Sequence, residues 1–313
     1  MARTDTLTHF LTDVADAIRT KTGSSAAISA ANFDTEIESI PSGSGHDWST
    51  IGFEQEPTGS RAAYQRAVAL KNNWDPNTTT MPTNKFQQSD LVYMPDIDMR
   101  GITTTDAFKN CFQCLGYVTY SSFNLPYSKS ALTAVAKIKA KPYGSISEMF
   151  SSCRRLTELD LSGIDTSEVT NMYGAFSKIS VSENPNPITT LDLSNFNTAK
   201  VTDFRSMFSG NDALQSLNLS SFTISSGYLI RTASMFGNCT SLTHIDIRSM
   251  TLSNITGGTA YYENMFGTDA ANGVPDDCEI IVMNDTQKTW ITSKWSRFTN
   301  VKTAAEYEAE QNA

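Results

Sequence analysis

One phrase recurs from the middle of the chain to near its end. It reads LTELDLSGIDTSEVTNMYGAF at 156–176 and ITTLDLSNFNTAKVTDFRSMF at 188–208, with looser copies LQSLNLSS…ASMF at 214–236 and LTHIDIRS…ENMF at 242–266. The copies begin at 156, 188, 214 and 242, so they lie 32, 26 and 28 residues apart. That is the leucine-rich-repeat range or slightly longer. A unit this short cannot bury its apolar side alone and must stack on its neighbours. The repeat therefore predicts an α/β solenoid: a leucine-rich-repeat stack with a parallel sheet, preceded by a short α-helical attachment segment.

Each copy divides into two parts. The Leu-x-x-Leu-x-Leu stretch (Leu156…Leu161, Ile188…Leu193, Leu214…Leu219, Leu242…Ile247) has the period-two rhythm of a strand with its apolar residues inward. The following Val-Thr-x-Met-x-x-x-Phe part (Val169, Met172, Phe176; Val201, Phe204, Phe208) has spacings of three and four, which predict a short helical turn. Met94-Pro-Asp-Ile97-Asp-Met99 reads as a first copy and Cys278-Glu-Ile-Ile-Val-Met283 as a degenerate last strand. Weaker copies lie near Leu115–Tyr120 and Leu132–Ile138, without a fixed register.

The flanks differ in character. Over 1–40, Leu7, Phe10, Leu11, Val14 and Ile18 form one helical stripe, stopped at Gly23, and Ser29 caps a second helix with Phe33, Ile37 and Ile40, ended by Pro41. Two short helices make a poor core, so Leu7, Phe10, Leu11, Val14, Ile18, Phe33 and Ile37 are assigned to attachment. Residues 41–46 (Pro-Ser-Gly-Ser-Gly-His) are a flexible linker. Residues 47–90, with a helix in Ala62–Leu70 and then Trp74, read as an N-terminal cap over the open first repeat. The solenoid occupies 91–285. Residues 286–313 form a C-terminal cap with Trp290, Ile291, Trp295 and Phe298, and a polar tail over 303–313, helical or frayed.

The repeat residues resemble the BspA-like leucine-rich-repeat surface proteins, with the hallmark Leu-Asp-Leu-Ser-x-Phe-x-Thr-x-x-Val-Thr-x-Met-x-x-Met-Phe. Residues 191–208 follow it almost throughout, with Phe204 where Met is usual. The stretch Val14 to Gly23 and Ile28 to Phe33 resembles the short leader of tail and fibre proteins in phages of Gram-positive bacteria. Trp74-Asp75, Asn84-Lys-Phe86 and Leu91 to Pro95 look like the start of the repeats in those proteins, and Ile281 to Val301 like their exit. The resemblance implies a virion appendage with an N-terminal attachment piece and a distal solenoid.

Composition excludes several other classes. The formal net charge is -9 with no Lys/Arg run, which opposes nucleic-acid binding. No run of about 18 apolar residues offers a membrane span, and no apolar stretch after Met1 suggests a secretory signal. Five cysteines in a chain of 313 residues do not suggest a disulfide framework. Cys111, Cys153 and Cys239 each follow a Phe by three residues, and they read as small buried hydrophobes sharing one repeat position. Cys111 and Cys114 have redox or zinc spacing but no second pair nearby.

The three histidines, His9, His46 and His244, have no nucleophile or metal motif around them. No enzyme activity, cofactor or metal is expected. Asp98, Asp160, Asp192 and Asp246, with Asn218, are assigned one repeat position and would form a column. Two readings of it stand. Each Asp closes an Asx turn onto the following residues, Ser162, Ser194 and Ser220 among them, or the column is a calcium ladder, which needs six to eight oxygens.

Candidate surface-binding residues are the outward strand positions Glu158, Thr190, Ser216 and His244, taken as facing solvent, and the loop tyrosines Tyr173, Tyr228, Tyr261 and Tyr262. Polar stripes flanked by aromatics suit sugars. Recognition belongs to what varies between copies: these positions and the insertions at 179–187, 225–231 and 253–262. The expected function is host-surface recognition, of a glycan or protein, by a phage virion appendage. Such a protein is assembled in the host cytoplasm, associates as a homo-oligomer and contacts other virion proteins through 1–40. A structural decoration protein and a bacterial cell-surface adhesin are the alternatives.

Overall fold

Apolar residues at alternate positions draw one copy's strand alongside the next. In the computed structural model the described residues are 47–54, 61–86, 91–113, 132–184, 186–224, 229–252, 255 and 258–313. The attachment residues Leu7, Phe10, Leu11, Val14, Ile18, Phe33 and Ile37, the linker 41–46, Cys114 and Tyr228 lie outside them. The architecture is mixed α/β, with several parallel sheets, few helices and no closed barrel among the described residues. Chain order is α1 (Arg61–Asn73), β1 (Tyr93–Met94), β2 (Asp98–Met99), β3 (Ala134–Val135), β4 (Lys139–Ala140), β5 (Gly144–Ser145), β6 (Glu158–Leu159), β7 (Val169–Asn171), β8 (Thr190–Leu191), β9 (Ser216–Asn218) and β10 (His244–Asp246). Then come α2 (Thr259–Tyr262), β11 (Glu279–Val282), α3 (Asp285–Lys294), β12 (Val301–Thr303) and α4 (Ala304–Gln311).

The repeat strands pair in parallel as β1-β3-β6 and β8-β9-β10-β11-β12. The break between β6 and β8 falls at the insertion 179–187. There side-chain amides replace a neighbouring strand: Asn184 donates to the Leu156 carbonyl (3.0 Å), and Asn195 to those of Leu161 (3.0 Å) and Ile164 (2.9 Å). β5 pairs with β7, and single parallel bridges carry this second row on through Asn171, Asp203 and Arg231. Contrary to expectation, Cys278–Met283 is not the last strand, because β12 pairs in parallel with β11.

The Val-Thr-x-Met-x-x-x-Phe arm is not a helical turn. An α-helix would send each N–H to the carbonyl four residues back. Here Ala175 and Ser177 bond three residues back, to Met172 and Gly174 (both 3.1 Å). The intervening Gly174, Phe176 and Lys178 donate sideways, to the Arg205, Met207 and Ser209 carbonyls of the next copy (2.9, 3.0 and 3.0 Å). Left-handed residues make this alternation possible. Asn84, Asn110, Glu148, Gly174, Ser206, Ser234 and Asn264 all have positive φ, and each lies two residues before a stacked phenylalanine. A left-handed residue other than glycine costs about 1–2 kcal/mol, which the bonds between copies offset. Ser234→Gly is therefore expected to stabilise the protein by about 1 kcal/mol, read as a higher urea midpoint. An unchanged or lower midpoint would show that the serine side chain is needed there.

The core is organised around one file of rings. Phe86, Phe112, Phe150, Phe176, Phe208, Phe236 and Phe266 stack with centroids 5.3, 5.1, 5.9, 6.1, 5.8 and 5.5 Å apart and planes within 17°. Trp295 and Phe298 end it edge-on to Phe266, at 5.0 and 5.2 Å. Edge-to-face contact satisfies the last ring without offering another flat face. Cys153 and Cys239 follow their stacked Phe by three residues, and each thiol donates to the Phe carbonyl of the preceding copy (Phe112, 3.0 Å; Phe208, 3.1 Å). Burial pushes the Cys239 thiol up to about 12. Cys111 does not share this position. It directly precedes the stacked Phe112, where Met149, Met207, Met235 and Met265 stand in other copies, because Phe108 is outside the file.

A second apolar cluster lies on the outer side of β1 and β3. Trp48, Ile51, Phe53, Tyr64 and Ala67 pack there on Tyr93, Ala134 and Ala136.

A candidate recognition surface

The outward strand row is only partly what the sequence suggested. Thr190, Ser216, His244 and Glu279 are register partners across β8–β11, whereas Glu158 lies in the other sheet beside Ala134. Both ends of this face are covered. At one end the Trp48–Tyr64 cluster lies over Tyr93 and Ala134. At the other, α4 is anchored through Arg248–Glu308 (2.7 Å), Lys288–Glu306 (2.8 Å) and Lys302–Glu310. His244 is only partly open to solvent: its Nδ1 meets Glu279 Oε2 at 2.8 Å and its ring centre lies 5.7 Å from that of Tyr307. Of the four expected positions, Glu158, Thr190 and Ser216 stay outside these covers.

The ion pairs of α4 carry a pH signature. Burial pushes the Glu279 carboxyl up, but hydrogen bonds from Lys302 and His244 outweigh it and hold the group below its ordinary value. The Lys288 ammonium holds Glu306 below its own. A carboxylate depressed in the folded state adds stability that is complete above its ordinary pKa near 4.5 and is lost as pH falls through the folded value. Acidification from pH 7 to about pH 4 and below is expected to lower the amide protection factors of 304–311, corrected for the pH dependence of intrinsic exchange, before those of β8 and β9. Equal loss of protection in both would refute an ionic anchor.

The aspartates are turn residues. Asp160, Asp192, Asn218 and Asp246 each accept the backbone N–H two residues on, at 2.9, 2.9, 2.9 and 3.1 Å. The N–H of Ser194 holds Asp192 below the usual carboxylate range. Asp98 does not belong to the column. Met94 is in register with Val135 and thus with Leu159, so Asp98 falls three positions past Asp160, opposite Lys139. Among the described residues no group of three or more His, Cys, Asp or Glu is placed to hold a metal ion.

The tyrosines divide. Tyr262 packs inward on Trp290 (5.3 Å) and Trp295 (6.1 Å), in the C-terminal cap. Tyr173 and Tyr261, the latter also partly buried against the core, flank two arginines on the turn arms. The Arg205 guanidinium lies 5.4 Å from the Tyr173 ring centre, and that of Arg231 lies 5.8 Å from Tyr261. Asp203, only 8% exposed, joins them. It accepts the Arg205 backbone N–H (3.1 Å), Nε (2.9 Å) and Nη2 (2.6 Å), and its Oδ2 is 3.8 Å from Arg231 Nη1. The hydrogen bond to Asp203 raises the Arg205 pKa further. Asn171, Asp203 and Arg231 are bridged in register, and the Thr232 N–H bonds to the Tyr261 carbonyl. The strip therefore crosses four consecutive copies.

Sequence reasoning missed both arginines. A signal existed for Arg205, since Asp-x-Arg recurs at 98–100, 203–205 and 246–248, and each time the carboxylate grips the guanidinium, whereas Arg231 follows Leu229 and Ile230 and carries no such motif. Residues 144–273, less than half of the chain, match the family model described as "Mycoplasma protein of unknown function, DUF285". That match fits a BspA-like repeat protein in outline and carries no information about virions. Neither the curated proteins nor the solved structures offer a match. No helix among the described residues is long and apolar enough to cross a membrane.

Proposed function

We propose that this chain is a phage virion appendage protein that recognises the host-cell surface through a leucine-rich-repeat solenoid. The observation that carries the reading is the strip Tyr173–Arg205–Arg231–Tyr261. The regular repeat positions are consumed by core and turns, while these varying positions place half-exposed cationic and aromatic side chains in one line. The parallel registers and the file of stacked rings support the solenoid. The leader's resemblance to phage tail and fibre proteins supports the virion, with 1–40 binding other virion proteins. Several copies on one particle would add avidity to weak single contacts with a surface glycan or protein. The role is binding without catalysis or cofactor, in a particle assembled in the host cytoplasm.

The test is competition. Labelled full-length protein is expected to bind host cells saturably and to reduce phage adsorption when added first. Absence of both effects overturns the reading. Deletion that weakens particles but leaves adsorption unchanged would instead make the protein a structural decoration.

A further inference from the structure

We infer that the strip Tyr173–Arg205–Arg231–Tyr261 is a binding site for an acidic glycan, a sugar polymer bearing carboxylate or phosphate groups. The inference rests on the host-surface reading for its biological setting and on the strip's own chemistry for its ligand.

Arg231 is the central observation. Its side chain is 49% exposed and lies against the Tyr261 ring. It stands 3.8 Å from Asp203, beyond hydrogen-bond reach, and its guanidinium donates no hydrogen bond among the described residues. The fork is positioned with its donors unspent. Such a fork recognises planar carboxylate or tetrahedral phosphate oxygens in pairs, which an ammonium does not do. Arg205 is braced beside it. Asp203 takes its Nε and Nη2, and Nη1 has no protein partner among the described residues. One carboxylate thus serves two guanidiniums, leaving a net positive spot on a chain of formal charge -9.

The surroundings favour an extended sugar chain. Ala233 and Ser234 follow Arg231 on its turn arm, and Gly174 follows Tyr173, so these stretches of the strip are built from small residues. Three steps between parallel neighbours of about 4.8 Å carry the strip over about 14 Å. That length suits an oligosaccharide more than a single sugar. Tyrosine rings at both ends offer apolar area and a hydroxyl to sugar rings. Three acidic neighbours limit the positive region, and one of them, Glu148, bonds through its N–H to the Tyr173 carbonyl (2.8 Å). Glu263 follows Tyr262 on the arm of the final copy, and Glu168 is neutralised by Lys200 at 2.6 Å. The exposed large hydrophobics among the described residues are Tyr173, Leu229 and Met283, which do not make the apolar centre of a protein–protein interface.

The experiment uses the full-length protein in calorimetric or biolayer titrations. Three polymers serve as probes: polygalacturonate for carboxylate, poly(glycerol phosphate) for phosphate, and neutral dextran. Binding to at least one acidic polymer is expected, weakening as salt rises, with dextran at least tenfold weaker. Arg231→Gln and Tyr261→Ala should each weaken it tenfold or more, and Arg231→Lys should recover only part. Melting temperatures within a few degrees of the parent would separate lost recognition from lost folding. The preferred acidic polymer identifies the anionic group. Equal binding of dextran, binding unchanged in Arg231→Gln, or no binding to either acidic polymer overturns the site. Host-cell binding that survives Arg231→Gln likewise refutes this site while leaving host recognition standing. Polymer binding without any host-cell binding refutes the host reading and leaves the site.

Discussion

Asn211→Leu is expected to destabilise the protein by about 3 kcal/mol or more, because it strands three buried backbone groups at about 1–3 kcal/mol each and leaves the Phe208 carbonyl only the Cys239 thiol. Asn211 is 1% exposed. Its Oδ1 accepts the N–H groups of Ile179 (2.8 Å) and Ser180 (2.9 Å). Its Nδ2 donates to the carbonyls of Phe176 (2.9 Å) and Phe208 (2.8 Å). Leucine matches the volume and satisfies none of them. Asn211 occupies the position that holds Cys153 and Cys239 in other copies, where the thiol donates to the preceding Phe carbonyl. The difference arises from the insertion 179–187. Ile179 and Ser180 turn into that insertion, and their N–H groups need an acceptor that a cysteine position does not supply. Asn211→Cys should therefore recover less than half of the loss. Urea denaturation measures both. A leucine variant within 1 kcal/mol of the parent would show that the amide is not the hub of this insertion.

Phe236→Ala is the second large effect. Phe236 is fully buried between Phe208 and Phe266, at 5.8 and 5.5 Å. Removing a buried Phe costs about 3–5 kcal/mol, and each lost ring pair adds about 0.5–1.5 kcal/mol in pairwise measurements. We expect a loss at or above the upper end of the first range, about 5 kcal/mol. Its distribution is as informative as its size. Where each copy touches only its neighbours, damage spreads by nearest-neighbour contact. Amide exchange should rise most in the copies carrying Phe208 and Phe266 and least near Phe112. Uniform loss of protection along the chain would mean that the copies unfold as one unit and not as coupled layers.

Several features were readable from single copies. Alternating apolar residues marked the strands, and Ile245 and Leu217 are fully buried as that rhythm requires. The Asp-x-Ser turns followed from side-chain chemistry acting over two residues. Trp295 and Phe298 stand edge-on to Phe266, the last ring of the file. The arm was misread because spacings of three and four also suit a run of turns. What separates the two is the direction of alternate N–H groups, decided by left-handed residues at Ser206 or Glu148, which no helical pattern reveals.

The remaining errors concern alignment between copies. Asp98 and Cys111 were placed by counting within a local motif, yet their positions depend on which residue of the next copy they face. β12 and the cover provided by α4 lie past the last recognisable repeat, where the period gives no guidance. The recognition strip is the clearest case, since Tyr173 and Tyr261 are 88 residues apart.

By itself the sequence determined that this chain stacks parallel strands around a phenylalanine-rich core, because period-two and repeat-length patterns act within one copy. Only the tertiary structure decided that His244 and Tyr262 are partly covered and that Arg205 and Arg231 share one carboxylate between two tyrosines. Which side chains meet across copies is set by hydrogen-bond register and by how each insertion is accommodated. Those are properties of the packed neighbours, and no single copy encodes them.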